Sequence, residues 1–146
     1  MFLGKFNPTI DEKNRLAIPA KFRKTGKTGN ELNSLIILPG FDGCIMGFAE
    51  PEWKKFVSER IETLSQSDPE NRRKTRFLYS NAVECELDKQ GRIILPPELK
   101  VFAGIEKEAV VIGVYDRIEI WSPVRYNEYA GNDDSAAVYL EGNLGF

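Results

Sequence analysis

A chain of 146 residues can bury one core, or two small cooperating ones, and 42% hydrophobic with 29% charged residues is the balance of a soluble globular protein. The net charge of -2 does not mark a nucleic-acid binder, so any basic surface must be local. The chain has no histidine, which removes histidine acid–base catalysis, histidine-activated nucleophiles and histidine metal ligation together.

The opening, Met1 to Phe6, lacks the apolar core of a signal peptide, and no apolar run approaches membrane-spanning length, so a cytoplasmic protein with no membrane partner is expected. Phe2 to Ile10 predicts a strand with Phe6 and Ile10 inward, and Pro8 hints at an edge or bulge. Leu16 and Ile18 bracket Ala17 in a short strand that Pro19 ends; a short helix from Ala20 to Lys24 buries Phe22. Gly26 and Gly29 open a loop. Ser34 to Leu38 is a buried strand, Pro39 to Gly43 a turn, and Cys44 to Phe48 the returning strand. A helix follows, with Trp53, Phe56, Val57, Ile61 and Leu64 at helical spacing. Asp68 caps a second helix that begins at Pro69 and runs to about Asn81.

Val83, Cys85 and Leu87 alternate with Glu84 and Glu86, a half-exposed strand. Ile93 to Leu95, the Pro96-Pro97 helix start with Leu99, the strand Ala109 to Val114, the turn Asp116-Arg117 and the strand Ile118 to Trp121 then repeat the first half. Ser122-Pro123 opens a helix with Tyr126 and Tyr129, counterparts of Trp53 and Phe56. Trp53, Trp121, Tyr126 and Tyr129 read as core or subunit contacts. Cys44 and Cys85 lack any C-x-x-C spacing and read as buried thiols. The segment from Gly131 to Phe146 is acidic and glycine-containing, and a loosely held or partner-dependent tail is expected.

The repeat is sharpest at two decapeptides. Asp11-Glu12-Lys13-Asn14-Arg15-Leu16-Ala17-Ile18-Pro19-Ala20 returns, 77 residues later, as Asp88-Lys89-Gln90-Gly91-Arg92-Ile93-Ile94-Leu95-Pro96-Pro97. Asp, Arg and Pro keep their places, with three apolar residues between Arg and Pro. The residue before each Arg, Asn14 or Gly91, is of the kind that tolerates positive φ. The pattern describes a strand, a tight polar turn, an arginine, a short strand and a helix start. Units at roughly 5–55 and 82–130, joined by a helical connector at 56–81 and followed by a tail at 131–146, cannot each cover their own apolar faces. Pairing with pseudo-twofold symmetry would close one barrel-like core.

The two D-x-x-x-R motifs, the opening Met1-Phe2-Leu3-Gly4, Leu38-x-x-x-Asp42-Gly43-Cys44 and Glu119-Ile120-Trp121 resemble the MraZ family, with two swapped-hairpin units of AbrB and SpoVT type in one chain. The resemblance covers almost everything but the tail. It implies an α+β fold: a double-split, swapped-hairpin β-barrel built from two tandem AbrB-like repeats with flanking helices. It also implies a ring-shaped homo-oligomer that binds double-stranded promoter DNA. Such a protein regulates the bacterial division and cell-wall gene cluster, is nucleoid-associated, and needs no cofactor, metal or small-molecule substrate. Its functional residues would be Asp11 and Arg15, then Asp88 and Arg92.

An arginine at the end of a polar turn offers a planar fork suited to phosphate or to guanine O6 and N7. Taken singly, either Asp–Arg pair could merely brace its turn. Two copies together with the resemblance favour DNA contact, with the aspartate ordering the turn for the arginine. Lys13, Asn14, Lys89 and Gln90 lie in the same turns and can reach bases or phosphates. Lys21, Arg23, Lys24 and Lys27 cluster without an acid among them; Lys21 and Arg23 join the candidate DNA-binding set, against the alternative of a solvated helix face. Arg72, Arg73, Lys74 and Arg76 form the densest basic run, which invites a DNA reading; because their helix also carries Phe77, Leu78 and Tyr79, a packed helix with ion pairs to acids such as Glu59 and Glu62, within the chain or across a subunit boundary, is expected instead. Two other classes of function remain: a ring that binds a protein partner through the same hairpins, and an enzyme using Asp11 and Asp88 as a carboxylate pair. The missing histidine, metal-ligand cluster and glycine-rich phosphate loop weigh against the enzyme.

Overall fold

The computed structural model describes residues 1–25 and 30–142. Lys27, the glycines 26 and 29, and the last four residues of the tail lie outside them. The chain folds as a mixed α+β structure on one six-stranded antiparallel sheet. Its elements are β1 (Phe2–Phe6), β2 (Arg15–Ala17), β3 (Lys24–Thr25), β4 (Asn30–Glu31), β5 (Ser34–Pro39), β6 (Ile45–Phe48), α1 (Glu50–Phe56), α2 (Pro69–Asn81), β7 (Val83–Glu86), β8 (Arg92–Ile94), α3 (Pro97–Ala103), β9 (Val110–Tyr115), β10 (Ile118–Trp121), α4 (Pro123–Tyr129) and α5 (Asp133–Leu140).

The order across the sheet is β1-β9-β10-β6-β5-β7. Each half of the chain supplies a hairpin, β5–β6 or β9–β10, and the first strand of each half is exchanged: β1 pairs with β9, and β7 with β5. The halves meet at β6 and β10. The short strands β2 and β8 leave this sheet and pair with each other as a separate two-stranded ribbon.

Alternation along the strands sorts the apolar residues onto two faces. Leu35, Ile37, Ile45, Val111, Ile118 and Ile120 point to the ribbon side, where they meet Leu16, Ile18, Phe22, Ile93, Leu95 and Leu99. Leu38, Met46, Phe48, Val110 and Trp121 point the other way, under Trp53, Phe56, Leu78 and Tyr126 of α1, α2 and α4. Because the central strands are covered on both sides, they read in the sequence as continuous apolar runs. Cys44 and Cys85 are free and buried.

The aromatic correspondence is closer than the sequence suggests. Counted from the helix caps Ala49 and Ser122, Trp53 and Tyr126 are both four residues on, and Phe56 and Tyr129 both seven. Phe48, Trp53 and Phe56 form one aromatic cluster and Trp121, Tyr126 and Tyr129 the other, although Tyr129 stays exposed.

Three local expectations are corrected; that of a loosely held tail is not. The predicted helix from Ala20 to Lys24 is a 3-10 turn, Ala20–Phe22, because Lys24 already belongs to β3; Phe22 is buried as expected. The helix after Glu50 widens into a π turn at Val57–Ile61, where the Glu62 N–H reaches the Val57 carbonyl, and this rotates Ile61 into a buried position. Val83 is exposed because β7 is an outer strand of the sheet; only Cys85 of that strand is buried. The tail contains α5, capped by the Asn132 side chain, though none of its residues is buried.

Candidate nucleic-acid interface

Each D-x-x-x-R segment closes on its own aspartate. In the first, Asp11 Oδ1 accepts from the backbone N–H groups of Lys13 (2.9 Å) and Arg15 (2.8 Å), and Oδ2 accepts from Arg15 Nε (2.5 Å). In the second, Asp88 Oδ1 accepts from Gln90 N (2.9 Å) and Arg92 N (2.9 Å), and Oδ2 from Arg92 Nε (2.8 Å). The chain crosses back through Asp11 N to Arg15 O and Asp88 N to Arg92 O. Asn14 and Gly91 occupy the left-handed region, at φ 61° and 75°. Both carboxyls are held below the usual aspartate range, first by the backbone N–H of the following arginine and then by its guanidinium. Each aspartate takes only Nε, and among the described residues no hydrogen bond engages the terminal nitrogens of Arg15 or Arg92.

The turns are not two separate sites. In the β2–β8 ribbon, Arg15 pairs with Ile94, Leu16 with Ile93 and Ala17 with Arg92. Leu16 and Ile93 are fully buried beneath it. Arg15, Ala17, Arg92 and Ile94 therefore share the outer face, and the two arginines are diagonal neighbours about 7–8 Å apart. The ribbon continues one step each way, with Ile18 N bonded to Gly91 O and Leu95 N to Asn14 O.

Each turn also meets a side chain of the opposite repeat. Lys100 Nζ of α3 donates to Asn14 Oδ1 at 2.8 Å. Arg23, the residue 77 positions before Lys100, lies over the second turn, anchored by Nε to the Ile18 carbonyl at 2.9 Å. A Cβ at Gly91 would stand 2.5 Å from Arg23 Nε. Asn14 with Lys100 and Gly91 with Arg23 are thus alternative solutions to one problem: a hydrogen-bonding side chain where the brace is lysine, bare backbone where it is arginine.

The sequence-predicted residues fall as follows. Lys13, Lys89 and Gln90 project from the turns into solvent, and Lys21 is exposed on the 3-10 turn. Arg23, Lys24 and Lys89 converge on one depression beside the second turn, shared with Glu31 and Asp88. Asn14 has its side-chain carbonyl engaged by Lys100. The basic run does not pair with Glu59 or Glu62; Arg72 instead ties down the carbonyls of Gln66 and Ser67, and Arg73, Lys74 and Arg76 are exposed without an ion pair among the described residues. Along α2, Arg73 and Arg76 point away from the half-buried Leu78, while Lys74, four residues before it, shares its side of the helix; the exposed Phe77 ring lies 6.4 Å from that of Phe102. Lys100 was not singled out by the sequence, although adding the repeat offset to Arg23 leads to it.

Among the described residues no group of three histidine, cysteine, aspartate or glutamate side chains could hold a metal ion, and no helix is long and apolar enough to cross a membrane.

Comparison with known proteins identifies the family. The family described as "MraZ protein, putative antitoxin-like" matches residues 1–77 and again 78–138. A transcriptional regulator MraZ from Thermomicrobium roseum is 43% identical over 123 residues, 84% of this chain and 82% of its own. The protein of that name from Thermoanaerobacter pseudethanolicus is 42% identical over 134 residues, 92% of this chain and 90% of its own. That from Pediococcus pentosaceus is 40% identical over 129 residues, covering 88% and 85%. With both halves matched and such identity over most of its length, the chain belongs to the MraZ family.

Proposed function

We propose that this protein is a transcriptional regulator that binds double-stranded promoter DNA through the outer face of the β2–β8 ribbon. The observation that carries the reading is the placing of Arg15 and Arg92 on one face of one ribbon, each braced through Nε and, among the described residues, with no hydrogen bond on its terminal nitrogens. A two-stranded ribbon fits the major groove, and an arginine fork there matches guanine O6 and N7 or a backbone phosphate. Lys13, Lys21, Arg23, Lys89 and Gln90 surround the arginines and supply phosphate contacts, while Asn14, Asp11 and Asp88 shape the turns. The names of the three relatives support the regulatory reading.

The exchange of β1 and β7 between the halves supports a swapped-hairpin, double-split barrel with repeats at 5–55 and 82–130, a connector at 56–81 and a tail at 131–146. One ribbon makes few contacts and binds weakly. In a ring-shaped homo-oligomer, several identical ribbons on one rigid body raise each other's effective concentration, so avidity supplies the affinity. Repeated promoter boxes about one helical turn, ~10 bp, apart would present their grooves on one side of the DNA. Occlusion of polymerase at the division and cell-wall gene cluster then gives repression, in a nucleoid-associated cytoplasmic protein that uses no cofactor or small-molecule substrate.

The test is fluorescence anisotropy of labelled DNA from upstream of the protein's own gene, at several salt concentrations. Wild type should bind tightly and salt-dependently. Arg15→Ala and Arg92→Ala should each lose about 1–3 kcal/mol of affinity while the oligomer persists. Equal affinity for random DNA at every salt concentration overturns the reading and turns the search to a protein partner of the same hairpins.

A further inference from the structure

The outer face of the ribbon carries more than its arginines. Ile94 stands opposite Arg15, and Ala17 opposite Arg92. Ile94 is 62% exposed, while its neighbours Ile93 and Leu95 are completely buried. The register requires this: a strand that turns Ile93 inward must turn Ile94 out. The two motifs therefore place an unburied branched apolar side chain and a small one between two guanidinium groups.

That setting narrows what can cover Ile94. A second copy docking this face onto its like would bring four arginines together, which the repulsion of like charges opposes. A polyanion is favoured instead. Glu84 and Glu86 line the flank of Ile94 toward β7, whereas the residues 77 positions earlier, Asn7 and Thr9, are neutral. A nucleic-acid backbone is thus turned away from the β7 side and drawn over Arg15, Ala17 and Arg92. In the major groove the one apolar group that a base edge offers is the C5-methyl of thymine.

We propose that Ile94 is a base-reading residue of this ribbon, which packs against a thymine C5-methyl in the major groove while Arg15 and Arg92 hold the DNA on either side. Ala17, its counterpart in the first repeat, leaves room for the groove edge to approach. The inference rests on the DNA-binding reading above. It makes the two halves of the ribbon unequal: the half bearing Ile94 discriminates, and the half bearing Ala17 accommodates.

The experiment replaces each thymine of the upstream duplex, one at a time, by deoxyuridine, which removes only the methyl group. Affinity is read by anisotropy for wild type, Ile94→Ala and Ile94→Val, with Arg15→Ala/Arg92→Ala as the control for the reading itself. Wild type should lose about three- to tenfold at one thymine in each box, the scale of one buried methyl. Ile94→Ala should bind the thymine duplex correspondingly less well and no longer distinguish the two bases there, while Ile94→Val retains most of the discrimination. If wild type binds every uracil duplex as tightly as the parent while the arginine variants lose binding, the inference fails and the DNA reading stands. If Ile94→Ala changes the oligomeric state in size-exclusion chromatography and leaves DNA affinity untouched, Ile94 is a contact between copies and the inference is overturned. If wild type shows no preference over random DNA, both fall.

Discussion

The bracing of each turn by the opposite repeat can be tested at Gly91. Alanine there meets two separate penalties. At φ 75° an L-residue is strained by about 1–2 kcal/mol. Its Cβ would also stand within 2.6 Å of Arg23 Nε, Cδ and Cζ, so the guanidinium must leave and lose its bond to the Ile18 carbonyl, worth about 1 kcal/mol at a half-buried site. Gly91→Ala should therefore destabilise by about 2–3 kcal/mol, and Arg23→Ala by about 1 kcal/mol, summing these terms. In the Arg23→Ala background the collision is absent, and Gly91→Ala should retain only the backbone strain. The double-mutant cycle should thus show a coupling of about 1 kcal/mol. Urea unfolding followed by circular dichroism, at one fixed protein concentration because assembly contributes to stability, supplies the four values. Strict additivity would mean that Arg23 does not hold the second turn, and the account of the braces would be wrong.

Three further outcomes follow from the same geometry. Lys100→Met should lower DNA affinity through turn 1 and destabilise by about 1 kcal/mol, the loss of one half-buried hydrogen bond, and adding Asn14→Gly should restore much of the affinity, because glycine keeps the left-handed conformation without a partner; no rescue would locate Lys100 on the DNA itself. Asp88 has a folded-state pKa below the ordinary 3.8, so its contribution to stability is complete above about pH 5 and is lost as pH falls through 3.8 toward the depressed value. The stability gap between wild type and Asp88→Asn should accordingly be constant at neutral pH and close in acid, and a gap that widens in acid would contradict the assigned hydrogen bonds. Burial pushes the Cys44 thiol up to about 12 and Cys85 to about 11, so iodoacetamide at pH 8 should label both slowly in the native protein and completely in denaturant; rapid native labelling of Cys44 would mean that the core beneath α1 and α4 opens readily.

What the sequence could convey was set by the range of each signal. Strand periodicity and turn chemistry are local, so the hairpins, the buried run from Leu35 to Leu38 and the positive-φ positions at Asn14 and Gly91 are legible from their own neighbours. The D-x-x-x-R turns are legible too, because aspartate, backbone and arginine meet within five residues. Partnerships between repeats have no such local mark. Nothing near Arg15 says that β2 pairs with β8, or that both arginines share one face with Ile94. The repeat offset carries part of this: it matches Arg23 with Lys100 and Ala17 with Ile94, but which residue each of them meets is set only when the halves are placed about a twofold. The basic run in α2 shows a limit of another kind, since its pairing within one chain and across a subunit boundary look alike in sequence. Its spacing from Glu59 and Glu62 is compatible with ion pairs, but the π turn at Val57–Ile61 and the capped start at Asp68 direct the two segments differently.

The two repeats have diverged in a way that bears on how one ribbon could treat two half-sites. Where the first carries Ala17 and Lys21, the second carries Ile94 and Glu98; where the first has Asn7 and Thr9, the second has Glu84 and Glu86. The residues that fix the ribbon, Asp11 with Asp88, Arg15 with Arg92, and the buried Leu16 and Ile18 with Ile93 and Leu95, keep the same chemistry in both copies. Shape is therefore symmetric and charge is not. A homodimer of single units would be bound to present equal halves to DNA. Fusing the units in one chain keeps the twofold ribbon while letting its rims differ, so a duplex bound there would meet a more basic border on the side of the first repeat and an acidic one along β7. An electrostatic direction is thereby given to a nearly symmetric reading head.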